Sequence, residues 1–142
     1  MNSRERALPR SPRTKTVSAA QVRAYASKAE EYAAAAVSEL KAERFVAATS
    51  LAIHAGINAA DAVCGARVGK RAAGDDHDQV LTLLREAGSD GIAVEKELRR
   101  LLPLKTKAEY DPDDIARSTA SKAVERSQWC VAVARRVANS IR

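Results

Sequence analysis

The sequence predicts an all-α protein: an antiparallel up-and-down bundle of three long and two short helices. Three observations lead there. Hydrophobic residues make up 46% of the 142 residues and aromatic residues only 4%, so alanine supplies much of the apolar surface and packing must rely on close helix approach. Apolar residues recur at helical spacing, without the alternation of a strand. Glycine and proline punctuate the chain at intervals that suit short connections between antiparallel neighbours. At this length one domain holds a core without metal or disulfide support.

The elements follow in order. Residues 1–17 carry Arg4, Arg6, Arg10, Arg13 and Lys15 against Glu5. That is a net +4 of the chain's +6, and with Pro9, Pro12 and no apolar period the segment reads as a basic disordered arm. The domain proper spans 18–142. Its first helix starts at Ser18, with Gln21 completing a capping box, and runs to about Lys41. Val22, Tyr25, Ala29, Tyr32, Ala36 and Leu40 form its stripe. The second runs from about Arg44 to Gly69, with Phe45, Ile53, Ile57, Ala60, Cys64 and Val68 on one face. A shorter helix follows from Asp76 to Ala87, capped by Asp75 or Asp76 and stopped at Gly88. Another spans Ile92–Leu102 and ends at Pro103. Asp111-Pro112 is a cap followed by proline at the first helical position, which opens the last helix. Ile115, Val124, Trp129, Val131, Val133, Val137 and Ile141 are its apolar content.

Composition also bounds the setting. Cys64 and Cys130 lie mid-helix with no CxxC pair, and no secretory segment opens the chain, which implies reduced thiols and a cytoplasmic location. No apolar run reaches the ~18–20 residues of a membrane span, so no membrane partner is expected.

Several polar groups are candidates for chemistry. Ser50, His54, Asn58 and Asp61 fall at i, i+4, i+8 and i+11, a polar ribbon on an otherwise apolar helix. They read either as register-fixing hydrogen bonds to neighbouring helices or as a polar interface cleft in which His54 titrates near neutrality. Arg71 and His77 flank two aspartates at a loop-to-helix junction and read as capping. His54, His77, Cys64, Asp75 and Asp76 match no compact zinc spacing, so neither metal nor cofactor is expected. The most distinctive stretch is Leu101–Pro112, which sets Lys105, Lys107, Glu109 and Tyr110 between two helices.

That stretch, with the alanine-rich Ala48–Ala62 and the later His77-Asp78-Gln79-Val80, resembles the HEPN family of prokaryotic helical domains over roughly residues 18–142. The resemblance implies a bundle that dimerises, in a toxin–antitoxin or defence context or beside a nucleotidyltransferase-like partner protein. In active members an arginine and a histidine cut RNA without a metal. The family's arginine falls here on Lys105 and its histidine on Tyr110, giving Lys-x4-Tyr in place of Arg-x4-His. Lysine lacks arginine's bidentate phosphate contact, and tyrosine, with a pKa of about 10, is a poor general base at neutral pH.

The function expected is therefore a dimeric module that binds RNA or a nucleotide through Lys105, Lys107 and Tyr110, or docks a partner protein, without cutting. The alternative is an active metal-independent ribonuclease toxin using His54 or His77.

Overall fold

A computed structural model describes residues 13–74 and 76–141. Helix α1 (Ala19–Lys41) begins at the expected capping box: Gln21 N–H donates to Ser18 Oγ at 3.2 Å and Ser18 N–H donates to Gln21 Oε1 at 2.9 Å. Two backbone donors left orphaned by the helix end are thereby satisfied. The helix buries Val22, Ala26, Ala29, Ala33 and Ala36, with Tyr25, Tyr32 and Leu40 half-buried at the margin of that stripe.

After a turn in which Glu43 takes a left-handed conformation (φ 61°), the chain enters α2 (Phe45–Val68). A helix without a continuous polar face is stable only when surrounded. Here α1, α4 (Gly88–Leu101) and α6 (Arg117–Ser140) enclose it. Ala48, Ala52, Ala55, Ala59, Ala60 and Ala62 are fully covered, and their small side chains let three neighbours pack on one axis. Ile53 is fully buried, whereas Ile57, expected on the same face, is only partly so. By length and composition α2 is apolar enough to cross a membrane, contrary to the expectation that no segment is. Most of it is covered by the other helices.

The remaining elements wrap one end of this frame. Gly69, left-handed at φ 73°, ends α2 and donates its N–H to Gly65 O at 3.0 Å, a conformation glycine adopts without a Cβ penalty. The reversed chain forms β2 (Lys70–Ala72), whose backbone groups need partners. They find them in β1 (Thr14–Thr16), paired antiparallel as Thr14↔Ala72, Lys15↔Arg71 and Thr16↔Lys70. The last part of the expected disordered arm is thus an ordered strand, followed by a buried Val17. Residues 1–12 of that arm lie outside the described residues.

Helix α3 (His77–Arg85) is capped by Asp76, whose carboxylate accepts from Asp78 N–H at 2.9 Å. The cap alternative at Asp75 lies outside the described residues. Asp90 then ties three helices together, accepting from Arg67 of α2 at 2.7 Å and Arg136 of α6 at 2.6 Å. Those two guanidiniums hold its carboxyl below the usual range.

Helix α4 ends at Leu101, within one residue of the expected end at Leu102 before Pro103. Pro103 itself sits in a 3-10 turn (Leu102–Leu104), where its missing N–H costs nothing. Beyond it the chain departs from expectation in two places. The expected loop after it contains a short helix, α5 (Lys105–Glu109). The last helix opens at Arg117 and not at Asp111-Pro112. Proline disfavours the helical conformation in the residue before it, and Ile115, only 3% exposed, anchors the intervening segment in the core. Trp129, part of the apolar content of this helix, is 61% exposed. The buried stripe of α6 runs through Cys130, Val131, Ala134 and Val137, and a one-residue offset turns a side chain by about 100° around the axis.

Candidate functional site

A cleft of about 600 Å³ opens where β2, α3 and the 3-10–α5 segment meet the side of α2. Each wall brings a different chemistry. β2 supplies Arg71, whose Nη1 donates to Ala72 O at 3.0 Å while the guanidinium lies 5.9 Å from the centre of the Tyr25 ring. A planar cation braced on an aromatic face keeps its remaining donors directed. The start of α3 supplies His77 and the capping Asp76. Burial and the Lys105 charge lower the His77 pKa from its ordinary value, so at neutral pH the imidazole is uncharged. The 3-10–α5 segment contributes Lys105 and Thr106, and Tyr110, 74% exposed, stands at the edge.

The floor comes from α2, through Ile57 and Asp61. Burial raises the Asp61 pKa to about 7, against the opposing pull of Arg71. At neutral pH the cleft therefore holds a carboxyl group poised between its two forms, a neutral histidine, and two fixed cations from separate segments. Such a set can bind an anion through Arg71 and Lys105, and it can accept or release a proton near pH 7.

The N-terminal segment holds two of these walls. Val17 N–H donates to Gly69 O at 3.0 Å and Ala73 N–H donates to Arg13 O at 2.8 Å, which pins the strand bearing Arg71. Arg13 N–H also donates to the side-chain Oε1 of Gln79 at 3.1 Å, two residues beyond His77 on α3.

The residues expected from sequence divide between this cleft and its surroundings. Lys105 and Tyr110 line it; Lys107 is exposed on α5 and does not. The ribbon Ser50, His54, Asn58 and Asp61 does not act as one strip. His54 Nε2 lies 3.2 Å from Glu109 Oε1, and Ser50 Oγ approaches the same oxygen at 3.5 Å. The imidazole stacks on Tyr32 at 5.4 Å between ring centres. These contacts latch the end of α5 onto α2. Asn58 turns back on its own helix, donating to His54 O at 2.8 Å, and Asp61 alone of the four reaches the cleft.

Arg71 and His77 were read from sequence as a capping pair. Asp76 does the capping, and both residues face the cleft with Lys105. What sequence reasoning missed is that the Arg71 and Lys105 segments meet. The only signal for it was Gly69, which reverses the chain. Cys64 and Cys130 are buried, and burial pushes both thiols up to about 12, so neither is a nucleophile at neutral pH. No group of three or more His, Cys, Asp or Glu side chains able to hold a metal ion occurs among the described residues.

No protein-family model matches the chain, and no curated protein is significantly similar to it.

Proposed function

We infer that the chain is a binding module for a phosphate-bearing ligand, RNA or a nucleotide, held in the cleft without being cut. One observation carries this reading: Arg71, His77 and Lys105, from three separate segments, line a single cleft with the exposed ring of Tyr110 at its edge. Arginine and lysine suit phosphate oxygens, and an exposed phenol ring can stack on a base. The resemblance to HEPN domains supports the same class of ligand. It adds a homodimer in the cytoplasm, in a toxin–antitoxin or defence setting, with a nucleotidyltransferase-like partner as a further associate.

The test is anisotropy of a labelled structured RNA in chelator, with light scattering to give the subunit number. Arg71→Ala and Lys105→Ala should each weaken binding by about tenfold, as loss of a charge-assisted phosphate contact of ~1.5 kcal/mol implies, and should reduce the salt dependence. Wild-type affinity in both variants would refute the reading.

A second reading is favoured by the arrangement of His77 beside Arg71 and Lys105. In a metal-independent ribonuclease, neutral His77 would take the proton of a ribose 2′-hydroxyl as its oxygen attacks the adjacent phosphorus. The bond from phosphorus to the 5′-oxygen would break, with that oxygen leaving as the hydroxyl on receiving the proton that His77 took up, and Arg71 and Lys105 would stabilise the charge on the phosphate. RNA cleavage in chelator that His77→Ala abolishes and His54→Ala spares would select this reading over binding alone.

A further inference from the structure

The exposed indole of Trp129 lies outside the cleft, in a groove between α4 and α6 of about 390 Å³. It is the chain's only tryptophan, and leaving so large an apolar surface in water is unfavourable unless something covers it. No aromatic ring or guanidinium stacks on it among the described residues.

The groove is bordered by two rows of cations. Lys96 and Arg100 are one turn apart on α4, and Lys122 and Arg126 are one turn apart on α6. Each pair spans about 6 Å along its helix, with Trp129 three residues beyond Arg126. An ion pair between Arg126 and Glu97 at 2.9 Å sets the two rows against each other. Eight arginines among the described residues, Arg126 included, are in ion pairs. Lys96, Arg100 and Lys122 have no carboxylate within ion-pair reach among the described residues. Glu125 is the other acid of the groove, so cations exceed carboxylates there by four to two. Through the shared Lys122 and Arg126 the groove continues into a recess of about 320 Å³ that exposes Ser118 and Thr119.

We propose that this α4–α6 groove is a binding site for single-stranded nucleic acid, with Trp129 stacking on one base and Lys96, Arg100 and Lys122 holding the flanking phosphates. A stacking ring beside unpaired cations is the arrangement that takes a flexible strand without reading its sequence. A second copy of the chain is a poorer occupant, because a twofold contact centred on the groove would bring the same cations face to face. The site is separate from the cleft and does not depend on it.

The lone tryptophan is its own reporter. The full chain is titrated with an eight-residue oligouridylate and, in parallel, with inorganic polyphosphate, which carries the charge but no base, while indole fluorescence is followed. The oligonucleotide should quench saturably and polyphosphate should not. Trp129→Ala, followed by anisotropy of a labelled oligonucleotide, should weaken binding by about tenfold, as loss of one stacked base implies. Lys96→Ala with Arg100→Ala should weaken it at least as much and flatten its salt dependence.

These positions are exposed, and circular dichroism checks that each variant is folded. Arg71→Ala and Lys105→Ala should leave the quenching unchanged, which separates this site from the cleft. Equal quenching by polyphosphate, unchanged affinity in Trp129→Ala, or loss of quenching in the two cleft variants would each overturn the proposal. So would a concentration-dependent dimer that Trp129→Ala dissolves.

Discussion

Replacing Asp61 by asparagine should make the protein more stable, and only above a certain pH. Asp61 lies on α2 at the floor of the cleft, and burial lifts its pKa from 3.8 to about 7 despite Arg71. The unfolded chain gives up this proton near pH 4 and the folded chain near pH 7. Between those values the folded state binds more protons, so this group's contribution to stability falls as pH rises through the window and is level above it. Three pH units at 1.36 kcal/mol each set a ceiling of roughly 4 kcal/mol. The cleft is open to solvent, which screens the charge, and about 2 kcal/mol is the figure to expect.

An amide at this position keeps the shape and the hydrogen-bonding capacity without the ionisation. Asp61→Asn should therefore exceed the wild type by only about half a kcal/mol at pH 4.5 and by about 2 kcal/mol at pH 8. Urea unfolding followed by circular dichroism at pH 4.5, 6 and 8 measures this difference directly. A stability difference that is constant across the three pH values would show that the Asp61 proton is not linked to folding, and that the cleft floor is wetter than its burial indicates. The same substitution removes a negative charge near Arg71, so it should also tighten binding of an anion to the cleft at pH 8 and have little effect at pH 5.

Three further outcomes test other parts of the molecule. Gly65→Ala places a Cβ 2.7 Å from Val17 Cγ1 and 2.8 Å from Val22 Cγ2. Valine is stiff at χ1, so overpacking of roughly 1–3 kcal/mol should outweigh the ~1 kcal/mol gained in helix propensity, and a thermal melt should show a lower Tm that adding Val17→Ala partly restores. Ile53→Asp, at a fully buried position, should abolish folding, because an unpaired buried charge costs several kcal/mol. Ile57→Asp, at the cleft floor, should leave a helical spectrum. Cys64 and Cys130 should resist a thiol reagent at pH 8 until urea is added, since burial holds both pKa values near 12 and leaves almost no thiolate.

Much of the bundle was legible in sequence because its signals are local. The Ser18–Gln21 capping box, the Gly69 stop and the Asp76 cap are each written within a few residues, and each stands where those residues place it. The start of α6 was misread because a local rule met a distant one: Asp111-Pro112 has the form of a helix start, but Ile115 reaches the core first and holds 110–116 out of the helix. The facing of Trp129 was not legible either: hydrophobicity alone cannot say which of two adjacent apolar residues faces inward, and Cys130 takes that place. The cleft was half legible. Lys105 and Tyr110 stood out in a short polar stretch, whereas Arg71 joins them only through a strand pairing between residues far apart in the chain, which no periodicity encodes.

That strand pairing also governs the order in which the site takes shape. β1 meets β2 between residues more than fifty positions apart, so its closure entropy is met only once the helices between have brought the two segments near each other. Three-residue strands whose side chains are largely exposed bury little, and segments of that kind open without global unfolding. The Arg71 wall is accordingly the last part of the cleft to form and the first to release. In amide exchange, Val17 and Ala73, whose N–H groups close the ribbon at its two ends, should lose protection well before the interior of α2.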